Sequence, residues 1–272
     1  MVFKNKQRLF YRYLCEAPLP LVIERSFECA ILREKDFSRP ILDIGCGDGI
    51  FSHILFDETI DVGIDPNAVE LARAKRFGTY REYIHCFGNK VPKPKGYFKT
   101  IFTNSVLEHI PDLDGVLKEC NRLLAPGGRM YITVPTDMFD RYSMVYVLLS
   151  ALRLRGLAEK YRRFFNRFWQ HHHFYNAAGW EKLFKRNGFK VADTREYNSK
   201  AICLLNDMLA PLSICSFLSR RIFKRWFFVP VLRRLTAVPL TWLFKRTAEN
   251  DMRRHDCDCG LIFFEIRKAK AK

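Results

Sequence analysis

A short apolar run that leads directly into three closely spaced glycines constrains the fold more than any other feature of this 272-residue chain. Residues 41–49 have the sequence ILDIGCGDG. Gly45, Gly47 and Gly49 allow the backbone to turn sharply and to approach a ligand with no Cβ in the way. A strand that ends in such a loop and is followed by a helix is typical of α/β folds built on a parallel sheet. A glycine-rich turn that holds no ligand is the alternative.

The pattern downstream of residue 40 predicts the rest of such a sheet. Short β-prone runs alternate with stretches of helical periodicity, which favours parallel strands joined by crossover helices. The predicted strands are 41–44, 62–65, 83–86, 100–103, 129–134, 189–192 and 261–266. Helices are predicted over residues 113–124 and 177–187, where apolar side chains recur at helical spacing.

Three segments lie outside this alternation. Residues 1–39 are interpreted as an N-terminal helical cap, and residues 40–272 as the main domain. Residues 136–175 and 199–256 interrupt the alternation and are both apolar and basic. We interpret them as helical insertions on one fold.

Asp65 is the acidic partner that the glycine loop requires. It ends the second predicted strand, twenty residues after Gly45, where a carboxylate can accept hydrogen bonds from both hydroxyls of a ribose. Dinucleotide-binding folds place their third glycine five residues after the first. Here Gly49 follows Gly45 by four residues and position 50 is Ile, which argues against a nicotinamide or flavin dehydrogenase.

Residues 41–49 resemble motif I of the class I S-adenosylmethionine (SAM)-dependent methyltransferases, and Asp65 matches the ribose-binding acid of that family. Residues 98–110 and 123–128 resemble the family's fourth strand and the turn before its fifth. Residues 173–175 together with 180–189 resemble the late helix of its small-molecule and lipid branch. The resemblance covers residues 40–135 and 171–198. It implies a Rossmann-like α/β fold, a seven-stranded, mostly parallel sheet with helices on both faces, here carrying basic apolar helical insertions.

The resemblance also implies SAM as cofactor and assigns residues to it. Gly45 and Gly47 would line the methionine and ribose portion, and Asp43 would lie near the amino group. Asn104 and Ser105, at the carboxyl end of the fourth strand, would contact the methionyl end and face the substrate. The remaining cofactor candidates are Cys46, Gly49, Asp65 and Phe87. Phe87 stands where the family often has an acid for the adenine amino group, and a phenyl ring there is a candidate for stacking.

Glu108 and His109 are the candidate catalytic residues. Methyl transfer depends mainly on proximity and alignment, and a general base is needed only where the acceptor loses a proton. His109 has a usable pKa for that role, and the alternative is a histidine that only bonds its loop. Quinone O-methyltransferases of the family carry Glu-x-x-Glu-His here and are associated with a metal. Ser105 replaces the first Glu, so no metal is predicted.

Three adjacent histidines, His171, His172 and His173, form a second polar cluster. Neighbouring side chains of an extended segment point to opposite sides, so the three do not readily ligate one ion. We expect one of them to face the substrate and the others to lie on the surface.

The net charge of +17 indicates an anionic partner, and its distribution indicates where that partner binds. Residues 40–135 carry −1, whereas residues 136–176 carry +4 and residues 199–256 carry +7. Nucleic acid is disfavoured as a partner because the sequence after Asn104 lacks the Pro-Pro-Tyr of amino-methylating enzymes, and the chain has no Pro-Cys dipeptide.

The basic insertions favour an anionic membrane surface, since aromatic residues beside arginines suit the headgroup region and no uninterrupted apolar stretch is long enough to span it. Nine scattered cysteines without metal-site spacing favour a reducing, cytoplasmic location. Together with the basic insertions, this predicts a cytoplasmic protein that is peripheral to the membrane. The predicted function is SAM-dependent methylation of a hydrophobic or anionic small molecule such as a lipid, quinone or lipid-linked glycan. The alternatives are a methyltransferase of a soluble metabolite, with the insertions as an ordinary cap, and a non-catalytic binding protein on the same fold.

Overall fold

The computed structural model describes residues 9–213 and 258–269, together with residues 216, 218, 219, 222, 237–242, 246 and 251. A seven-stranded sheet forms its centre, with the strand order β3-β2-β1-β4-β5-β7-β6. The strands are β1 (Ile41–Ile44), β2 (Ile60–Asp65), β3 (Tyr80–His85), β4 (Phe98–Asn104), β5 (Leu124–Pro135), β6 (Phe189–Ser199) and β7 (Cys259–Lys268). Strands β1 to β5 pair in parallel, and β7 runs antiparallel to both β5 and β6. The prediction of a seven-stranded, mostly parallel sheet is therefore confirmed.

Helices cover both faces of the sheet. They are α1 (Leu9–Glu16), α2 (Leu19–Leu32), α3 (Ile50–Leu55), α4 (Ala68–Ala74), α5 (Leu113–Leu123), α6 (Met144–Ala151), α7 (Arg155–Phe168), α8 (Ala177–Arg186) and α9 (Lys200–Leu209). Successive side chains of a strand point to opposite faces, and β4 shows the result. Phe102 belongs to the core under α1, α2 and α9, whereas Ile101 belongs to the core under α5 and α8.

The largest departure from the predicted strand lengths is that of β6. The apolar run 189–192 predicted a short strand, but β6 continues to Ser199 because β7 pairs with it as far as Cys259. Residues 192–196 of β6 are exposed or partly exposed and largely polar, so their sequence lacks the apolar alternation of a half-buried strand.

The N-terminal segment contains α1 and α2, with Pro18 and Pro20 at their junction. Proline fixes φ and lacks an N–H, so it suits the first turn of α2, where no backbone acceptor is available. Helix α2 is mostly apolar and packs on α1, α9 and β6. It brings three charged residues, Glu24, Arg25 and Glu28, towards the carboxyl end of β4.

The segment predicted as the first insertion contains the helical hairpin α6–α7. No residue of α6 is buried, and the buried residues of α7 are Ala158 and Asn166. The segment predicted as the second insertion begins with α9, and most of its remainder lies outside the described residues. The same is true of most of its basic residues, namely Arg220, Arg221, Lys224, Arg225, Arg233, Arg234 and Lys245. Within the part of the chain that the structure describes, no helix meets the length and hydropathy needed to cross a bilayer.

Candidate active site

The glycine loop lies at the carboxyl end of β1, between β2 and β4. Gly45 and Gly47 both have positive φ angles, of 73° and 52°, which most L-residues rarely adopt. A Cβ on Gly45 would lie 2.5 Å from Val106 Cγ1, so the loop requires glycine there for space as well as conformation. A Cβ on Gly47 would meet nothing within 4 Å, because this part of the loop faces open space.

Asp65 at the end of β2 holds the loop in this conformation. Its Oδ2 accepts a hydrogen bond from Gly47 N at 2.9 Å, and its Oδ1 accepts one from Asn67 N at 2.7 Å. Each carboxylate oxygen can accept a second hydrogen bond. Asp65 therefore fixes the loop and still has lone pairs for a ligand hydroxyl.

Asp43 lies buried beneath the loop on β1. Its Oδ2 accepts hydrogen bonds from Ser52 Oγ and Tyr80 OH, both at 2.6 Å. Burial raises the pKa of this carboxyl to about 7, although the two hydroxyl donors act to lower it. Asp43 nevertheless lines the cavity next to the loop.

A cavity of about 460 Å³ opens above the loop. Its wall includes six of the predicted cofactor residues, and residues of α2 also line it. Those six are Asp43, Gly45, Cys46, Gly47, Asn104 and Ser105. Gly49 and Asp65 are not among the lining residues of this cavity. Gly49 precedes α3, and a Cβ there would lie 2.9 Å from Ala74 Cβ.

A second cavity, of about 290 Å³, lies on the other side of Gly45. It shares Gly45 and Val106 with the first cavity and is lined mainly by apolar residues of β1, β2, α5 and the loop after β3. Phe87 belongs to this wall, and 69% of its surface is exposed. The exposed ring is free to cover a planar group in this cavity.

A third cavity, of about 270 Å³, adjoins the first at the carboxyl end of β4. Six residues line both cavities: Pro20, Leu21, Arg25, Ser105, Trp169 and Ala210. Its remaining wall combines polar residues with aromatic and apolar ones, among them Phe139, Tyr142, Phe165 and Leu261. Glu108 and His109, the candidate catalytic residues, also line it.

Glu108 and His109 lie side by side in the short turn after β4. Burial raises the pKa of Glu108 to about 8, and it lowers the pKa of His109 below the ordinary 6.5. His109 Nε2 lies 3.7 Å from Glu108 Oε1, and Glu108 Oε2 is buried with no hydrogen-bonding partner among the described residues. A neutral carboxyl and a neutral imidazole therefore meet at the wall of the third cavity.

The three adjacent histidines lie in different environments. His171 lines the third cavity, its ring centroid 5.1 Å from that of His109, and burial lowers its pKa to about 4. His172 is exposed. The His173 ring bonds Ile110 O at 2.9 Å, which ties this segment to the turn after β4.

Comparison with known proteins places this architecture in a family. A family model described as a methyltransferase domain matches residues 17–194, which are 178 of the 272 residues. The chain belongs to the class I SAM-dependent methyltransferases. The predictions of this family, of a methyltransferase and of SAM as cofactor are confirmed.

Individual relatives match only part of this methyltransferase. Ubiquinone biosynthesis O-methyltransferase of Vibrio atlanticus is 29% identical over 125 residues, which cover 43% of this chain and 52% of the relative. The chain spans about half the length of the curated relatives it matches. Geranyl diphosphate C-methyltransferase from Streptomyces coelicolor has a TM-score of 0.54 and 14% identity, covering 90% of this chain and 79% of the other. At that identity, the similarity shows a shared fold and nothing further.

Sequence reasoning missed the contribution of α2 to this methyltransferase site. Arg25 lines both the first and the third cavity, and Glu24 lines the third. Burial raises the pKa of Glu24 to about 7. Burial acts to lower the pKa of Arg25, but the carboxylates of Glu28 and Glu24 outweigh it, so the guanidinium stays charged. The available signal was the presence of three charged residues in an otherwise apolar helix, since charges are rarely buried without a partner.

The site residues do not form a cluster suited to a metal. Among the described residues, no group of three or more His, Cys, Asp or Glu side chains has that arrangement. Ser105, which occupies the position of a glutamate in the metal-associated family pattern, donates its hydroxyl hydrogen to Glu28 Oε1 at 2.9 Å.

Proposed function

We propose that this methyltransferase transfers the methyl group of SAM to a hydroxyl group of a hydrophobic small molecule bound in the third cavity. The observation that carries the proposal is the adjacency of two cavities at Ser105 and Arg25. One contains the glycine loop, and the other contains Glu108 and His109. Methyl transfer depends on bringing SAM and the acceptor together in the right alignment. The junction of the first and third cavities is where the two would meet.

The residues around the glycine loop fit SAM. The methionyl end fits the first cavity, where Arg25 can pair with its carboxylate and Asp43 can accept from its amino group. The remaining lone pairs of Asp65 suit the ribose hydroxyls. The apolar second cavity, joined to the first at Gly45, suits the adenine, with Phe87 over it. When bound, SAM supplies an electrophilic methyl group for in-line displacement by the acceptor oxygen.

His109 is proposed to take the proton that the acceptor hydroxyl loses. Its Nδ1 lies 3.3 Å from the carbonyl oxygen of Gln170, and because a carbonyl only accepts, Nδ1 carries the hydrogen. Nε2 therefore keeps its lone pair, next to Glu108 Oε1. The lowered pKa keeps the ring neutral and ready to accept a proton at neutral pH. Glu108, protonated below a pKa of about 8, lies beside Nε2 as a neutral carboxyl in the wall of the third cavity.

The lining of the third cavity favours an uncharged, planar acceptor. Phe139, Phe165 and Trp169 provide apolar ring surfaces. Glu24, Glu108 and Asp207 are acidic, and Arg25, the cavity's arginine, is assigned to the carboxylate of SAM, so an anionic acceptor is poorly matched. The name of the curated relatives, ubiquinone biosynthesis O-methyltransferase, supports oxygen as the acceptor atom and a quinone-like substrate.

Membrane attachment is proposed as the second part of the function. The hairpin α6–α7 exposes large apolar side chains, among them Leu148 at 58%, Phe164 at 60% and Phe168 at 64%. Arg163 and Arg167 are exposed on the same helix. Apolar rings beside arginines suit the interface of an anionic bilayer. Phe165 and Trp169 at the end of this hairpin line the third cavity, so a substrate could enter from the bilayer.

A transfer assay tests the proposed reaction. The protein is incubated with SAM carrying a trideuterated methyl group and with a panel of alkylated phenols, catechols and matched amines, and the products are identified by mass spectrometry. We expect labelled methyl ethers of the phenols or catechols. Labelled amines without labelled ethers would instead make the enzyme an N-methyltransferase.

A further inference from the structure

Glu28 of α2 is the centre of a buried hydrogen-bond network behind the site. Its Oε2 accepts from Arg25 Nη1 at 2.8 Å and from Asn104 Nδ2 at 2.9 Å. Its Oε1 accepts from Ser105 Oγ at 2.9 Å and from Tyr197 OH at 3.0 Å. The residue is fully buried. Four donors occupy the four acceptor positions of one carboxylate, so its orientation is fully determined.

Three of these four donors line the cofactor cavity, whereas Glu28 lines none of the cavities described above. Arg25, Asn104 and Ser105 line the cavity that also contains the glycine loop. The fourth donor, Tyr197 on β6, is buried and lines no described cavity. Glu28 can therefore influence a ligand only through the residues that it holds.

The backbone at the end of β4 depends on these contacts. Ser105 has a φ of 49°, in the left-handed region that residues with a Cβ rarely adopt. Its hydroxyl is held by Glu28, and its N–H donates to Thr133 O at 3.0 Å. The Asn104 amide is fixed in the same way, with Nδ2 on Glu28 and Oδ1 accepting from Thr133 Oγ1 at 2.9 Å.

Charge explains why a carboxylate is used. A buried carboxylate is strongly disfavoured without a cationic partner, and Arg25 is that partner. The pair keeps the guanidinium in one place at the junction of the first and third cavities, where a free arginine would sample several rotamers. An amide at position 28 could accept from only one pair of donors, and its NH₂ group would face the other pair.

We propose that Glu28 is a positioning residue that sets the arrangement of Arg25, Asn104 and Ser105 and thereby the affinity for SAM. The inference rests on the proposed placement of SAM in the first cavity. It assigns to α2 a role in cofactor binding at a residue that does not touch the cofactor cavity.

The test compares Glu28→Gln with Tyr197→Phe in the full-length protein. Both changes remove buried hydrogen bonds of one network, but Tyr197→Phe leaves the three cavity donors on Glu28. SAM and S-adenosylhomocysteine affinities are measured by calorimetry, and stability by thermal unfolding. We expect Glu28→Gln to weaken both affinities at least ~10-fold, the loss typical of broken hydrogen bonds to a charged group. Tyr197→Phe is expected to stay within about threefold while also losing stability.

Equal affinities of the wild type and Glu28→Gln would overturn the inference and leave the proposed function standing. Equal losses in both variants would also overturn it, since the effect would then be general destabilisation. A wild type that binds no SAM would remove both proposals. If Glu28→Gln does not fold, Glu28→Asp takes its place, because it keeps the charge but is one methylene too short to reach donors on both β4 and β6. Unchanged affinity in that variant would overturn the inference.

Discussion

Nδ1 of His109 lies 3.3 Å from the carbonyl oxygen of Gln170, the second residue after α7. Gln170 has a φ of 55°, a left-handed conformation that is costly for a residue with a side chain. The strained turn that follows the helical hairpin thus places the carbonyl oxygen of Gln170 next to the candidate base. Because a carbonyl oxygen only accepts, the turn after the hairpin favours the tautomer of His109 that carries its hydrogen on Nδ1.

Replacement of His109 by Ala should lower the rate of methyl transfer to a phenolic acceptor by roughly 10²–10⁴-fold, the usual contribution of a general base. The affinity for SAM should not change, because His109 lines only the third cavity. Single-turnover rates and calorimetry measure the two quantities. His172→Ala is the matched control, since His172 is exposed and lines neither cavity.

The pH dependence of the wild-type rate of methyl transfer tests the role of His109 independently. A base must be unprotonated to act, so the rate should rise with pH through a pKa below 6.5, the ordinary value from which burial lowers that of His109. That ascending limb should be absent in His109→Ala. If the rate of His109→Ala still rose with pH in the same range, the titrating group would not be His109.

Replacement of Asp65 by Ala should weaken SAM binding by roughly 1–3 kcal/mol, the effect of removing hydrogen bonds to a charged group. The change removes the proposed ribose partner and also the acceptor of Gly47 N. Calorimetry measures the affinity, and Asp61→Ala is the control because Asp61 is on the same strand and pairs with Arg39. If Asp65→Ala bound SAM like the wild type, the ribose site would lie elsewhere.

Glu108→Gln should stabilise the protein against unfolding at pH 8 to 9 but not near pH 4. The folded pKa of Glu108, about 8, is above its ordinary 4.5, so the folded state retains a proton that the unfolded state releases. Stability contributed by this site is therefore lost progressively as pH rises above 4.5, until the folded carboxyl ionises as well. Thermal unfolding of both proteins across this range checks the sign. A stability difference independent of pH would show that Glu108 does not retain its proton on folding.

Phe164→Glu and Phe168→Glu should each reduce binding to vesicles containing anionic lipid by about tenfold, because an interfacial ring is replaced by a repelled charge. Co-sedimentation at moderate salt measures the bound fraction. Val69→Glu, at a residue 58% exposed on α4, is the control. No binding of the wild type to such vesicles would favour a soluble acceptor, with the hairpin as a cap.

The sequence was sufficient to predict the parts of the site that are local in the chain. The glycine loop, Asp65 and the turn after β4 each follow a strand of the parallel sheet, and the carboxyl ends of such strands meet at one edge. Asp43, Gly45 and Ser105 were therefore predictable as neighbours. The mostly parallel sheet and both helical layers follow from the same alternation, whereas the order of the strands was not predicted.

The contribution of α2 could not be predicted in this way. Asn104 and Glu28 are 76 residues apart, and no local pattern indicates which surface a helix covers. The charged residues of α2 signalled that polar partners exist, without saying which ones. The extension of β6 was missed for a related reason, since its exposed polar half follows only from pairing with β7.

Calorimetric titration of the full-length protein with SAM tests the central claim most directly. The account predicts saturable binding with a dissociation constant of roughly 1 mM or lower. It also predicts a product, S-adenosylhomocysteine, that binds at the same site and competes. Absence of binding at millimolar SAM would contradict the account and leave a methyltransferase fold that has lost its cofactor.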